Sequence, residues 1–147
     1  MEKLYLGILY SILAGIIVST QNVFSARISE KMGMWETTFV VHLVGLIFAL
    51  AMVVIFGEGN IKNIAEVKKV YLLAGVLGVF IIFLVANSVT LLGASFVVSL
   101  MVISQLAFAA VIDALGLFGN EKIPFDFTKF LGLILMIIGV IVFKLKG

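Results

Sequence analysis

Five apolar runs of about twenty residues each, parted by short polar connectors, limit what this chain can fold into more than any other feature. A helix rises about 1.5 Å per residue, so roughly 20 apolar residues cross a hydrocarbon core about 30 Å thick. The runs extend from Leu4 to Phe24, Glu36 to Phe56, Val70 to Leu91, Phe96 to Phe118 and Phe127 to Phe143. Composition agrees with membrane insertion. The chain is 63% hydrophobic and only 12% charged, with a mean hydropathy of +1.31. A soluble domain carries roughly a quarter charged residues, and so few charges could not cover a water-facing surface. The expected fold class is an all-α integral membrane protein of five transmembrane helices, a single domain over residues 1–147.

The connectors are ARISEKMGM, GEGNIKNIAEVKK, LLGAS and GNEKIPFD. In the longest, Ile61, Ile64 and Val67 recur at three-residue spacing, which predicts a short amphipathic turn at the membrane surface. Pro124, the only proline, precedes the fifth span, where a helix start tolerates it. The first run opens like a secretory leader, with Lys3 ahead of apolar residues. Cleavage after Ala26 would put bulky Phe24 where a small residue is wanted, so this run is read as a retained span.

Five spans put the chain ends on opposite sides of the membrane. One side receives Lys3, Lys62, Lys68, Lys69, Lys122 and Lys129, and the other Arg27, Lys31, Lys144 and Lys146. Six against four is a weak positive-inside bias, and it permits insertion in both orientations.

The same residues narrow the function. The net charge of +2 is spread over helix ends rather than gathered into a basic patch, so a nucleic-acid partner is not expected. There is no cysteine, and His42 is the only histidine. No transition-metal site or cofactor is therefore expected. No phosphate loop, nucleophile elbow or HExxH occurs. No catalytic residue is assigned, and enzyme is a poor class for the chain.

Two features address helix packing. Gly7, Ser11, Gly15 and Ser19 form a four-residue ladder in the first span, suited to close approach of another helix within the chain or to lining a solute path. In the fifth span, GLILMIIGV places Gly132 and Gly139 two turns apart on one face. With no polar residue between them, that face suits an assembly contact.

Polar groups inside a bilayer are costly, and they mark bundle interiors or wet cavities. Gln21, Asn22 and Ser25 fall at the far end of the first span. His42, with Thr38 one turn away, falls in the near half of the second, and Asn87 and Ser88 close the third. These fall at the depth of one leaflet, with Gln105 near the midpoint of the fourth span. Gln105 there is either a cavity-lining group or an interhelical hydrogen bond. Asp113 lies roughly 12 Å further along. A structural role for it, pairing Lys122 or Lys129 or capping, stands beside a role in proton or cation coupling. The candidate solute-binding residues are Asn22, His42, Asn87 and Gln105. Trp35, Tyr5, Tyr10 and Tyr71 near the span ends fit an aromatic belt.

The stretch SQLAFAAVIDALGLFGNEKIPFDFTKFLGLILMIIGVIVF resembles the C-terminal signature of the bacterial YdcZ-like family in the drug/metabolite transporter superfamily. Gln105, Asp113, Gly116, Phe118, Gly119, Gly132 and Gly139 carry the likeness, and STQNVFSARISEKMG, with Gln21 and Asn22, is similar to that family's polar helix end. GLILMIIGV is also similar to the dimerisation helix of small multidrug resistance proteins, whose short chains pair antiparallel. The resemblance implies a ten-helix inverted-symmetry bundle made as an antiparallel homodimer in the inner (cell) membrane, with Gly132 and Gly139 at the dimer contact. Those drug transporters carry a membrane-central Glu in the first helix, whereas GILYSILAGIIVS has no carboxylate. A cavity of amides, hydroxyls and one imidazole suits a neutral or zwitterionic solute.

The expected function is therefore transport, in the export direction, of a small polar metabolite or xenobiotic by alternating access. The alternatives are a dual-topology channel for a small ion and a non-transporting membrane scaffold subunit.

Overall fold

A computed structural model describes residues 2–145. Lys146, counted above among the basic residues, lies outside the described residues, as does Gly147. The chain forms α1 (Glu2–Met32), α2 (Met34–Phe56), α3 (Ala74–Leu92), α4 (Ala94–Leu115) and α5 (Phe127–Lys144), with 3-10 turns at Ile61–Glu66, Lys69–Leu73 and Leu117–Gly119. Among the described residues there is no strand, and five helices are long and apolar enough to cross a membrane. The all-α, five-helix membrane fold is what the apolar runs required.

The helix ends differ from the ends of the apolar runs. α1 continues past Phe24 to Met32, through a segment whose charges suit a hydrated helix end. Arg27 and Glu30, one turn apart, pair at 3.1 Å, a contact worth a few tenths of a kcal/mol on an exposed surface. α4 stops at Leu115, before the apolar run does, because Gly116 adopts the left-handed conformation (φ 65°) that terminates helices. The surface connector forms 3-10 turns, the first begun by the Asn60 side chain accepting from the Lys62 N–H at 3.0 Å.

The helices group into two compact units, one up to Leu91 and one from Leu92. In the first, α1 and α2 make a hairpin across one residue, Gly33, at φ 92° and ψ 163°. Only glycine enters that region without strain. The α1 residues on the packed face are small: Asn22, Ser25, Ala26 and Ser29 are buried at helical spacing, as are Thr37 and Thr38 on α2. Away from the turn, Gly7, Gly15 and Gly45 all have open space where a Cβ would stand. Within the first unit, then, no neighbouring helix closes on the ladder at Gly7 or Gly15. α3 approaches the first half of α2, with Trp35 stacked on Phe83 (centroids 4.1 Å apart) and Gly78 facing the His42 ring.

In the second unit α4 packs on α5. The link between them turns tightly, with Phe118 at φ 59° and Gly119 at φ 89°, and is held by the Ile123 N–H donating to the Asp113 carbonyl at 2.9 Å. α5 begins at Asp126, whose carboxylate accepts from the Lys129 N–H at 3.0 Å and the Thr128 hydroxyl at 2.8 Å. At the opposite end the Lys144 ammonium stands 5.2 Å from the centre of the Phe96 ring, a cation–π contact.

Candidate functional site

The first unit contains a polar seam inside an apolar bundle. Three hydroxyls along it are satisfied by their own helices: Ser29 donates to the Ala26 carbonyl at 2.7 Å, Thr37 to Gly33 at 2.6 Å and Thr38 to Met34 at 2.9 Å. Such back-bonding lets a hydroxyl sit in an apolar interior without a second helix to serve it.

Asn22 is not satisfied. Its residue is 9% exposed, and its amide nitrogen Nδ2 is buried with no hydrogen-bond partner. A buried donor left unpaired costs about 1–3 kcal/mol, and few native groups carry that burden without a reason.

His42 is half-buried, with Nδ1 2.8 Å from the Thr38 carbonyl oxygen. A carbonyl oxygen only accepts, so Nδ1 carries the hydrogen, and in the neutral ring Nε2 is an acceptor. Nε2 is turned toward α3, where a Cβ at Gly78 would lie 3.4 Å from it. Asn22 stands eleven residues before Gly33 and His42 nine after it. In a hairpin this puts the two within about 3 Å of one depth. The seam thus offers an unpaired donor and a ring acceptor at one level.

The structure brings the other expected residues less close. Asn87 is nine residues beyond Gly78 on α3, about 13 Å along the axis from the His42 level, within one leaflet of roughly 15 Å. Its Nδ2 donates to the Phe83 carbonyl at 2.8 Å, leaving its side-chain oxygen as the group on offer. Gln21 is exposed and lines a groove of about 440 Å³ between α1 and α2, with Thr20, Ser25, Phe24 and Val41. Gln105 is exposed on α4 and lines neither groove between α4 and α5. Asp113 is half-buried and shares a cavity with Lys129, yet Arg27–Glu30 is the only ion pair among the described residues. The anticipated ion pair of Asp113 with Lys122 or Lys129 is thus not made among the described residues; the Lys129 ammonium donates to the Pro124 carbonyl instead, at 2.9 Å.

Sequence reasoning does not single out Ser29 and Thr37, which complete the seam. A signal was present: Ser29 is seven residues, two turns, from Asn22. On α5, Gly132 and Gly139 both have open space where a Cβ would stand, and each lines a groove between α4 and α5. Among the described residues, no group of three or more His, Asp or Glu could hold a metal ion.

Comparison with known proteins gives the wider setting. No curated protein and no solved structure matches the chain. The family model described as "Putative inner membrane exporter, YdcZ" matches residues 6–142, which takes in all five spans. That family is a class of transporter rather than of enzyme, acting on small solutes within the lipid bilayer. A five-helix chain whose polar seam holds one buried, unpartnered amide is in keeping with such a role. The chain belongs to the YdcZ family of inner membrane exporters and is a multi-pass protein of the inner membrane.

Proposed function

We propose that the protein exports a small neutral or zwitterionic polar solute by alternating access, working as an antiparallel homodimer of ten helices. Each chain acts as one five-helix domain, and the inverted copies rock about a site near the midplane. Asn22, His42, Asn87 and Gln105 line the solute path. The observation that carries this reading is the buried, unpartnered Nδ2 of Asn22. A solute oxygen accepting from it would lift the desolvation penalty only when bound. His42 Nε2, at the same depth, would accept from a solute hydroxyl or amine.

The dimer rests on separate support. Gly132 and Gly139 are open within the chain, so a facing helix could approach α5 closely there. Gln105 is exposed at mid-span, where an amide facing lipid is costly, and a second copy or the solute would cover it. The weak charge bias lets one sequence supply both orientations.

A thermal-shift screen of purified protein against neutral and zwitterionic polar compounds, followed by efflux of each hit from proteoliposomes, tests the proposal. Compounds bearing an acceptor oxygen should stabilise the wild type and be transported. Gln105→Ala should lose the response while remaining a folded dimer. Hits that stabilise wild type and the Asn22→Leu variant equally would overturn the assignment of the site.

A further inference from the structure

The second unit contains a cavity that the solute path does not use. It occupies about 410 Å³ between the end of α4 and the start of α5, a size that suits a small ligand. Its floor is apolar, formed by Leu106, Leu133 and Met136, and one end carries two opposite charges, Asp113 and Lys129.

Asp113 is two residues from the end of α4, and Lys129 is the third residue of α5. Both therefore stand where their spans leave the hydrocarbon, at headgroup depth. They do not pair with each other, since no ion pair joins them among the described residues. The Lys129 ammonium is held by the Pro124 carbonyl at 2.9 Å. An ammonium has three donors, so two remain. The Asp113 backbone carbonyl accepts from the Gly116 and Ile123 N–H groups, at 3.2 and 2.9 Å, which fixes the residue at the cavity wall.

We propose that this cavity binds a zwitterionic phospholipid with a primary ammonium, an ethanolamine phospholipid, its ammonium on the Asp113 carboxylate and its phosphate on the Lys129 ammonium. Within the lining, one charge of each sign complements a ligand that carries both, with the Asp126 carboxylate outside the lining but within electrostatic reach of Lys129. A purely anionic headgroup would meet the repulsion of Asp113, and a cation that of Lys129. The carboxylate selects N–H donors, which ethanolamine has and choline lacks. A quaternary ammonium is better served by an aromatic cage, whereas Phe125 is the one aromatic in this lining. The apolar floor runs from the charges toward mid-span. It would cover the glycerol and acyl stem of a lipid and would be left bare by a soluble zwitterion. The site lies outside the Asn22–His42 seam and shares with the proposals above only Gly132, of the dimer contact, so its failure would leave the solute-path proposal untouched.

Native mass spectrometry of the purified protein tests the assignment, with ethanolamine, choline and glycerol phospholipids of matched chains added in turn. The ethanolamine lipid should be retained at concentrations at least about tenfold lower than the others. Asp113→Asn should erase its advantage over the anionic glycerol lipid, and Lys129→Gln should weaken retention of both. Lys129→Arg should restore it. Met136→Trp, which fills the floor without touching a charge, should reduce retention of all three and stands in if a charge variant fails to fold. Equal retention of the three lipids, or an ethanolamine preference surviving in Asp113→Asn, would overturn the proposal. Displacement of the lipid by glycerophosphoethanolamine, the same headgroup without acyl chains, would assign the cavity to a soluble zwitterion instead and overturn it equally.

Discussion

Replacing Asn22 by leucine separates a binding group from a structural one. The two side chains branch alike at Cγ, so leucine puts a methyl where the unpaired Nδ2 stands. Removing an unsatisfied buried donor should recover about 1–3 kcal/mol, while any bond made by the side-chain oxygen is lost at about 0.5–1.5 kcal/mol. The net expectation is a gain of about 0.5–1.5 kcal/mol in the solute-free protein. At roughly 2–4 °C per kcal/mol for a chain of this length, the thermal midpoint should rise by about 1–6 °C. The fluorescence of Trp35, the only tryptophan, reports unfolding in detergent because the ring stacks on Phe83 between α2 and α3. The same variant should lose stabilisation by any transported solute. A midpoint lowered by several degrees with the solute response intact would refute the reasoning, and would make Asn22 an interhelical glue whose partner forms only in the assembly.

Other perturbations address the remaining parts of the account. Gly132→Leu and Gly139→Leu meet open space within the chain, so helix content should be unchanged while dimer is lost by at least about tenfold in affinity, read by cross-linking in membranes; wild-type cross-linking would exclude α5 from the contact. Gly33→Ala forces a Cβ into a glycine-only conformation and against the Glu36 carboxylate, and should cost about 1–3 kcal/mol in denaturant unfolding of the purified protein. Asp126 is held below the usual carboxylate value of 3.8, first by the Lys129 backbone N–H and then by the Thr128 hydroxyl. A folded pKa lowered in this way stabilises the fold fully above about pH 4, and the contribution fades as pH falls through the lower folded value. Asp126→Asn should flatten that acid limb of the thermal midpoint while leaving the cap in place.

The five spans were legible because hydropathy reports the bilayer, and each apolar run is long enough to cross it. Helix ends were less legible for the same reason. Arg27, Glu30 and Lys31 end the apolar run but not α1, since charged residues in headgroups or water keep good helix propensity. Conversely, Leu117 and Phe118 prolong the apolar run beyond Gly116, whose left-handed backbone has already ended α4. The residue types of the polar seam could be picked out by their cost in lipid. That Asn22 lacks a partner while Ser29, Thr37 and Thr38 have theirs could not, because it depends on which carbonyl each side chain reaches. The pairing weighed for Asp113 with Lys129 anticipated their nearness, but not the cavity they share without an ion pair. Sixteen residues separate them, and only the turn through Phe118 and Gly119 brings them to one end of the unit.

The antiparallel dimer is the central claim, and the cysteine-free sequence allows a direct measurement. A single cysteine replaces Glu58, exposed in the connector after α2, and right-side-out membrane vesicles are treated with an impermeant maleimide before and after permeabilisation. Antiparallel pairing requires about half of the chains to label in sealed vesicles and all of them once permeabilised. Labelling that is complete or absent in sealed vesicles would mean a single orientation and would contradict the antiparallel homodimer.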